Sequence, residues 1–131
     1  MSDYLFTYGT LYPGRAPQEV AAAVEKLQAV GEGFVHGVLY DLGDYPGAAL
    51  DPSSQRRIAG TVFQLPEDAD VFRQLDAYEG FNPDAPGTSL FLRTLCSVTL
   101  ATSGVLTCWI YVYNGTPEPA SIMASGIYRK N

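Results

Sequence analysis

Two long β-type segments that lie close together constrain the fold of this chain more than any other feature. Residues 90–101 and 105–113 are rich in β-branched, aromatic and leucine residues, and only Thr102-Ser103-Gly104 separates them. Segments of this composition joined by a short turn that contains glycine are typical of an antiparallel hairpin. We therefore expect a β-sheet to organise the fold.

Three further β-type segments and two helical segments precede this hairpin. The β-type segments are residues 4–8, 33–42 and 58–65, and the helical segments, with apolar residues three and four positions apart, are 18–30 and 67–79. This irregular order does not fit repeated βαβ units, and two helices cannot cover both faces of a parallel sheet. We predict an α+β fold in which residues 1–131 form a single-domain mixed β-barrel with two main flanking helices. An aromatic content of 12%, mostly tyrosine, suits a barrel whose mouth holds a small ligand.

The most informative single residue is Glu79, an acid on the apolar side of the second helix. At about 100° per residue, Glu79 is nearly in line with Phe72 and next to Leu75, and Gly80 ends the helix. Burial, the like charge of Asp76 and the negative end of the helix dipole should all raise the pKa of its carboxyl group. Such a carboxylate can move protons near neutral pH. The alternative is a glutamate that reaches around the helix end to solvent.

The charge of the chain argues against two classes of partner. The formal net charge is −6 with only 8 Lys and Arg residues, which are scattered apart from Arg56-Arg57 and Arg129-Lys130. Binding to phosphates requires clustered basic residues, so we expect neither nucleic acid nor an anionic membrane as a partner. No segment approaches the roughly 20 apolar residues of a membrane-spanning helix.

The cysteine pattern predicts a reducing environment. Cys96 and Cys108 lie in apolar β-type segments, with no third cysteine and no neighbouring histidine. We interpret them as reduced core thiols, and since no charged and then apolar leader is visible, we expect a cytoplasmic location.

Several common kinds of catalytic site have no basis in the sequence. His36 is the only histidine, so neither a metal site nor a Ser-His or Cys-His nucleophile is predicted, and His36 should be a hydrogen-bonded strand residue. The glycines of 9–14 have the spacing of a phosphate loop, but Arg15-Ala16 replaces the required Lys-Ser/Thr pair. Such a turn can still present N–H groups to a carboxylate, or serve only as a turn. Asp76 and Glu79 diverge too far around one helix to flank a glycosidic bond, so we predict one working carboxylate.

Five motifs together resemble a known family. They are Tyr8-Gly9-Thr10-Leu11, Gly37-Val38-Leu39-Tyr40-Asp41-Leu42-Gly43-x-Tyr45-Pro46-Gly47, Gly60-Thr61-Val62-Phe63, Leu75-Asp76-x-x-Glu79-Gly80 and Ser89–Arg93. In this order, over nearly the whole chain, they resemble the γ-glutamylcyclotransferase-like superfamily, also called AIG2-like.

The resemblance implies a compact mixed β-barrel with flanking helices and a specific reaction. The substrate would be a small γ-glutamyl amine or peptide, whose α-amine attacks its own γ-carbonyl to give 5-oxoproline and a free amine. Carried over, Glu79 would be the general base and acid, and the γ-glutamyl part would be held by Tyr8, Gly9, Thr10 and Leu11. The implied reaction needs no metal and no cofactor.

One predicted substrate-binding residue departs from the family pattern. Phe91 stands where family members often carry tyrosine, so a hydroxyl that could bind substrate is missing. The competing interpretation is therefore a non-catalytic small-molecule-binding domain in which Glu79 only pairs with a ligand ammonium. Residues 44–51 and 82–89 are expected to form loops that line the half of the pocket that holds the amine. Arg15 is expected to be a solvated surface residue, and the alternative is a contact with an anionic substrate. Arg93 is also expected to be solvated, and the alternative is a residue of the pocket wall or of a salt bridge.

Overall fold

The computed structural model describes residues 3–9, 11–14, 16–43 and 45–127. In chain order the elements are β1 Tyr4–Thr7, α1 Gln18–Glu25, β2 Gln28–Asp41, β3 Pro46–Leu50, β4 Arg57–Gln64, α2 Ala69–Glu79, β5 Phe91–Leu100 and β6 Val105–Tyr113. Short 3-10 helices cover Pro86–Thr88 and Pro119–Ser121. None of the helices in these ranges is long and apolar enough to cross a membrane.

Five strands form a closed mixed barrel. Their order is β2-β4-β1-β6-β5, and β5 pairs back onto β2 through Gly33↔Leu100 and Phe34↔Thr99. β1 runs parallel to β6, every other described pair of strands is antiparallel, and β3 adds to the outside of β2. The predicted mixed β-barrel with two main flanking helices is confirmed, and so is the hairpin, in which β5 pairs with β6 from Phe91↔Tyr113 to Thr99↔Val105.

Two separate apolar clusters hold the barrel and the helices together. The first joins α1 and α2 to outward-facing strand residues such as Leu5, Phe63 and Tyr111. The second contains only strand residues, among them Phe6 and Ile110, the chain neighbours of Leu5 and Tyr111, and it fills the barrel. This alternation follows from strand geometry, in which successive side chains point to opposite faces. The helices therefore pack against the outer surface of the barrel.

The predicted extent of the first helix is wrong at its C-terminal end. α1 ends at Glu25, although the sequence pattern extended it to Val30. Residues 28–30 instead enter β2, where Gln28 pairs with Gln64, and a bulge follows Ala29. Pairing with β4 here outweighs the local helical pattern.

One strand was not predicted. Pro46–Leu50 was interpreted as part of a loop, but it forms β3 and pairs with β2 from Gly37↔Leu50 to Asp41↔Pro46. Its proline, glycine and alanine residues have low β-propensity, so the edge of the existing sheet determines its conformation.

Residues at both of its ends define α2 and position Glu79. The Asp68 side chain caps the first turn by accepting a hydrogen bond from the Asp70 N–H at 3.0 Å. Gly80 ends the helix in the left-handed conformation at φ 72°, as predicted. The helix starts at Ala69, two residues later than the sequence pattern indicated.

Candidate active site

A cavity of about 300 Å³ lies where the end of β1 meets the last turn of α2. It is lined by five of the six residues that the sequence predicted for the site, namely Tyr8, Gly9, Leu11, Glu79 and Phe91. The sixth, Thr10, lies outside the described residues, as does Arg15. Residues far apart in sequence thus meet around one cavity.

Glu79 is the last residue of α2 and faces this cavity. Its side chain is half-buried, and within the described residues its carboxylate forms no hydrogen bond or ion pair. Burial raises the pKa of Glu79 from 4.5 to about 7, because the surrounding protein disfavours the charged form. A carboxylate in this environment can exchange protons near neutral pH.

Asp76 does not add to the raised pKa of Glu79, contrary to the sequence-based expectation. Asp76 is only 7% exposed, and its carboxylate is paired with Arg93, whose Nε lies 3.0 Å from Oδ1. Burial is the cause of the raised pKa of Glu79, as expected, and the expected contribution of the Asp76 charge is wrong. The charge of Asp76 is balanced locally by Arg93.

The expectation that Arg93 is a solvated surface residue is also wrong, and the salt bridge that was its alternative is present. Besides its contact with Asp76, the guanidinium stacks over the ring of Phe72 at 4.0 Å and lies 4.9 Å from that of Trp109. The planar guanidinium suits both an ion pair and stacking on aromatic faces. Arg93 therefore links β5 to α2.

Tyr8 contributes a ring to the cavity, while its hydroxyl group is engaged in the fold. The hydroxyl donates to the main-chain carbonyl oxygen of Tyr111 at 2.6 Å and accepts from the Ala48 N–H at 3.2 Å. Burial raises the pKa of Tyr8, and the negative charge of Glu79 raises it further. Tyr8 is thus a neutral phenol close to Glu79.

Phe91 forms an aromatic wall of the cavity. It is 3% exposed, and its ring centroid lies 5.7 Å from those of Tyr45 and Tyr113. These distances are in the range preferred by edge-on or tilted aromatic pairs. At this position the site presents an apolar surface instead of a hydroxyl group.

The matching family model decides the classification of the chain. The model described as gamma-glutamyl cyclotransferase, AIG2-like, matches residues 5–130. The chain belongs to this family. The resemblance derived from the sequence motifs is thereby confirmed.

Solved structures share the fold of this AIG2-like protein at low sequence identity. An AIG2-like protein from Mus musculus has a TM-score of 0.73 and 21% identity, over 97% of this chain and 88% of that one. YkqA from Bacillus subtilis has a TM-score of 0.70 and 19% identity over 98% of this chain, which spans only 40% of YkqA. A structure titled gamma-glutamyl cyclotransferase has a TM-score of 0.61 and 12% identity, over 84% of this chain and 65% of that one. No curated protein sequence matches the chain.

Sequence reasoning missed several residues that line the cavity of this family member. Tyr111 is the most consequential, because its hydroxyl donates to Asp76 at 2.6 Å. Of the two loops expected to hold the amine, the first contributes Tyr45 and Pro46, whereas residues 82–89 do not line the cavity and Leu90 does. The hairpin register, which places Arg93 opposite Tyr111, was the available signal for Tyr111.

His36 Nδ1 lies 3.0 Å from the carbonyl oxygen of Ser54, so the predicted hydrogen-bonded strand histidine is confirmed. In the part of the chain that the structure describes, no group of three or more His, Cys, Asp or Glu residues could hold a metal ion.

Proposed function

We propose that this AIG2-like protein cyclises the γ-glutamyl part of a γ-glutamyl amine or peptide to 5-oxoproline and releases the amine. The observation that carries the proposal is Glu79, which lines the cavity beside Tyr8 and Gly9 and whose pKa burial raises to about 7. A general base works best when its pKa is close to the working pH. Membership of the gamma-glutamyl cyclotransferase, AIG2-like family supports the same reaction.

In the proposed mechanism Glu79 acts first as a base and then as an acid. Its carboxylate takes a proton from the substrate α-ammonium, and the freed amine forms a bond to the γ-carbonyl carbon. Glu79 then delivers this proton to the leaving nitrogen as the original amide C–N bond breaks. The regenerated carboxylate takes the second proton from the ring nitrogen and passes it to the released amine. In total the α-nitrogen gives up two protons and the leaving amine gains two, so Glu79 is regenerated.

The chain around Gly9 would hold the substrate in the bent shape that this attack requires. We assign the backbone N–H groups from Gly9 to Leu11 to the substrate α-carboxylate, because consecutive N–H groups after a strand can bind an anion. Nucleophile and electrophile belong to one molecule, so restricting its rotation contributes an effective concentration on the order of 10⁵ M or more. The aromatic wall that includes Phe91 would lie beside the same substrate.

The proposed activity is tested with a panel of γ-glutamyl amino acids and γ-glutamyl amines. Each compound is incubated with the protein, and 5-oxoproline and the free amine are measured by mass spectrometry. The proposal expects both products, in equal amounts, from at least one member of the panel. If no member reacts but some raise the melting temperature, the protein is instead a small-molecule-binding domain that uses this cavity.

We also infer that the protein works in the cytoplasm. Cys96 and Cys108 are opposite each other on β5 and β6 and are free thiols. Burial raises the pKa of Cys96 to about 12 and that of Cys108 to about 11, so both stay protonated and poorly reactive. Reduced thiols of this kind are usual in a reducing compartment.

A further inference from the structure

Three side chains from three different elements meet next to Glu79. Arg93 of β5 and Tyr111 of β6 are opposite each other in the hairpin, so both side chains point to the same face of the sheet. Both bind Asp76, which lies one helical turn before Glu79 in α2. The hairpin and the helix end that carries Glu79 are therefore joined through one carboxylate.

The contacts in this cluster determine which group donates the hydrogen bond between Tyr111 and Asp76 and which group accepts it. Arg93 lies 3.0 Å from Asp76 through Nε and 3.3 Å through Nη2, and the two side chains are only 18% and 10% exposed. A carboxylate held by a guanidinium is an acceptor only, since it carries no proton of its own. The hydroxyl of Tyr111, 2.6 Å from Oδ1 of Asp76, must therefore be the donor.

The consequence is a polarised hydroxyl on Tyr111, a residue that lines the cavity. A phenol has one proton and two acceptor lone pairs, and Tyr111 has committed its proton to Asp76. Burial, the hydrogen bond to Asp76 and the charges of Asp76 and Glu79 all raise the pKa of Tyr111, while Arg93 lowers it. Tyr111 thus stays a neutral phenol and has only lone pairs left to offer to a ligand.

Two hydrogen-bond acceptors, the Glu79 carboxylate and the Tyr111 hydroxyl oxygen, therefore belong to residues that line the same cavity. The Glu79 carboxylate has no hydrogen-bond partner within the described chain, and its charge raises the pKa of Tyr111, which lines the same cavity. A ligand group with several N–H donors and a positive charge would satisfy both. In a γ-glutamyl compound that group is the α-ammonium.

We propose that the hydroxyl oxygen of Tyr111 accepts a hydrogen bond from the substrate α-ammonium beside Glu79, and that Asp76, held by Arg93, is the positioning residue that sets this polarity. The inference rests on the proposed function and adds a second ammonium acceptor to it. Once Glu79 has removed one proton, Tyr111 keeps its bond to a remaining N–H. The nitrogen lone pair is then held in a fixed direction for attack.

The test compares L-glutamine with its analogue without the α-amino group, 4-carbamoylbutanoate. Both are titrated by NMR into the wild type, Y111F, D76N and Y113F, and 5-oxoproline signals are recorded in the same samples. Tyr113 lies on the same strand but outside the cavity lining, so Y113F is the matched control. Thermal unfolding checks that each variant is folded.

We expect the wild type to bind L-glutamine more tightly than the analogue, and Y111F to lose about tenfold or more of that preference, the usual effect of a hydrogen bond to a charged group. Y113F should keep the preference. D76N should lose part of it, because an amide can donate to Tyr111 as well as accept from it. Affinity for the analogue should stay within about twofold in every variant.

D76N also provides a measurement that a purely structural role would not change. If its Tyr111 hydroxyl can turn toward Glu79, the hydrogen bond favours the carboxylate, and the rise of kcat/KM with pH should move to lower pH. The titratable and charged groups around Glu79 in the described chain are Tyr8 after β1, Tyr45 before β3, Arg93 from β5, Tyr111 from β6, and Asp76 and Tyr78 from α2. In Y113F the pH dependence should stay that of the wild type.

The inference is overturned if Y111F keeps the wild-type preference, or if the wild type does not distinguish L-glutamine from the analogue. The proposed reaction fails separately, if neither L-glutamine nor any compound of the γ-glutamyl panel yields 5-oxoproline. In that case a preference that depends on Tyr111 would still establish the ammonium site.

Discussion

The Tyr8 hydroxyl donates to the main-chain carbonyl oxygen of Tyr111 at 2.6 Å, and this contact joins the end of β1 to β6 at the wall of the cavity. The same hydroxyl accepts from the Ala48 N–H of β3 at 3.2 Å. One phenol thus holds three strands together where the candidate site forms. The cavity depends on this contact for its shape, because both Tyr8 and Tyr111 line it.

Removing this hydroxyl should destabilise the protein. In Y8F, the carbonyl group of Tyr111 and the fully buried N–H group of Ala48 lose their partner. An unsatisfied buried polar group costs about 1 to 3 kcal/mol, so we expect a loss of about 2 kcal/mol in the free energy of unfolding, measured with urea. Y113F is the control. A loss below about 0.5 kcal/mol in Y8F would contradict this role.

The raised pKa of Glu79 predicts how stability depends on pH. Between 4.5, its ordinary value, and about 7, the folded protein binds a proton that the unfolded chain has released. Burial of the anion therefore costs stability progressively as pH rises through this window, and the cost is complete above about pH 7. E79Q cannot ionise, so it should be more stable than the wild type at pH 8, by about 1 to 3 kcal/mol, and by less than about 1 kcal/mol at pH 5.

Unfolding in urea at several pH values measures this difference. E25Q is the matched control, since Glu25 lies in the last turn of α1 but is exposed. The stability of E25Q should parallel that of the wild type from pH 5 to pH 8. An E79Q variant that is less stable than the wild type at pH 8 would contradict a buried, destabilised carboxylate.

The glycine that ends α2 should matter for stability and for the site. Gly80 has φ 72°, and a Cβ there would lie 3.1 Å from the Cβ of Leu90, which lines the cavity. G80A should cost about 1 to 2 kcal/mol from the left-handed conformation. It should also change ligand affinity, because Leu90 has to shift.

The variant G104A separates the effect of the left-handed backbone conformation from the effect of the contact with Leu90. Gly104 is also left-handed, at φ 86°, but a Cβ added there would meet no described atom within 4 Å. It should lose similar stability in urea while the affinity for L-glutamine, followed by NMR, stays that of the wild type. Equal ligand affinity in G80A and G104A would show that the contact with Leu90 has no effect on the cavity.

Local patterns in the sequence predicted those elements whose ends are marked by characteristic residues, such as glycine. α2 was recognised from its apolar spacing and from Gly80, and the β5–β6 hairpin from the turn that contains Gly104. The same local rules failed for α1, because pairing of residues 28–30 with β4 is a tertiary effect. They also missed β3, whose residues form a strand only because β2 offers them an edge.

The candidate site likewise combines a residue that local sequence patterns predict with residues whose positions depend on tertiary contacts. The position of Glu79 could be predicted because the apolar face of α2 and Gly80, which ends the helix, determine it. The cluster of Asp76, Arg93 and Tyr111 could not, because its contacts join a helix to two strands. Its cause is the register of the hairpin against α2, which no short segment encodes.

In the proposed reaction Glu79 transfers the proton in 5-oxoproline formation. The most direct measurement is kcat/KM for 5-oxoproline release by E79Q and by the wild type, with the most reactive γ-glutamyl compound of the panel. E25Q, which should react like the wild type, controls for the loss of one charge. We expect E79Q to be folded and slower than the wild type by about 10²-fold to 10⁴-fold. A rate for E79Q equal to that of the wild type would contradict it.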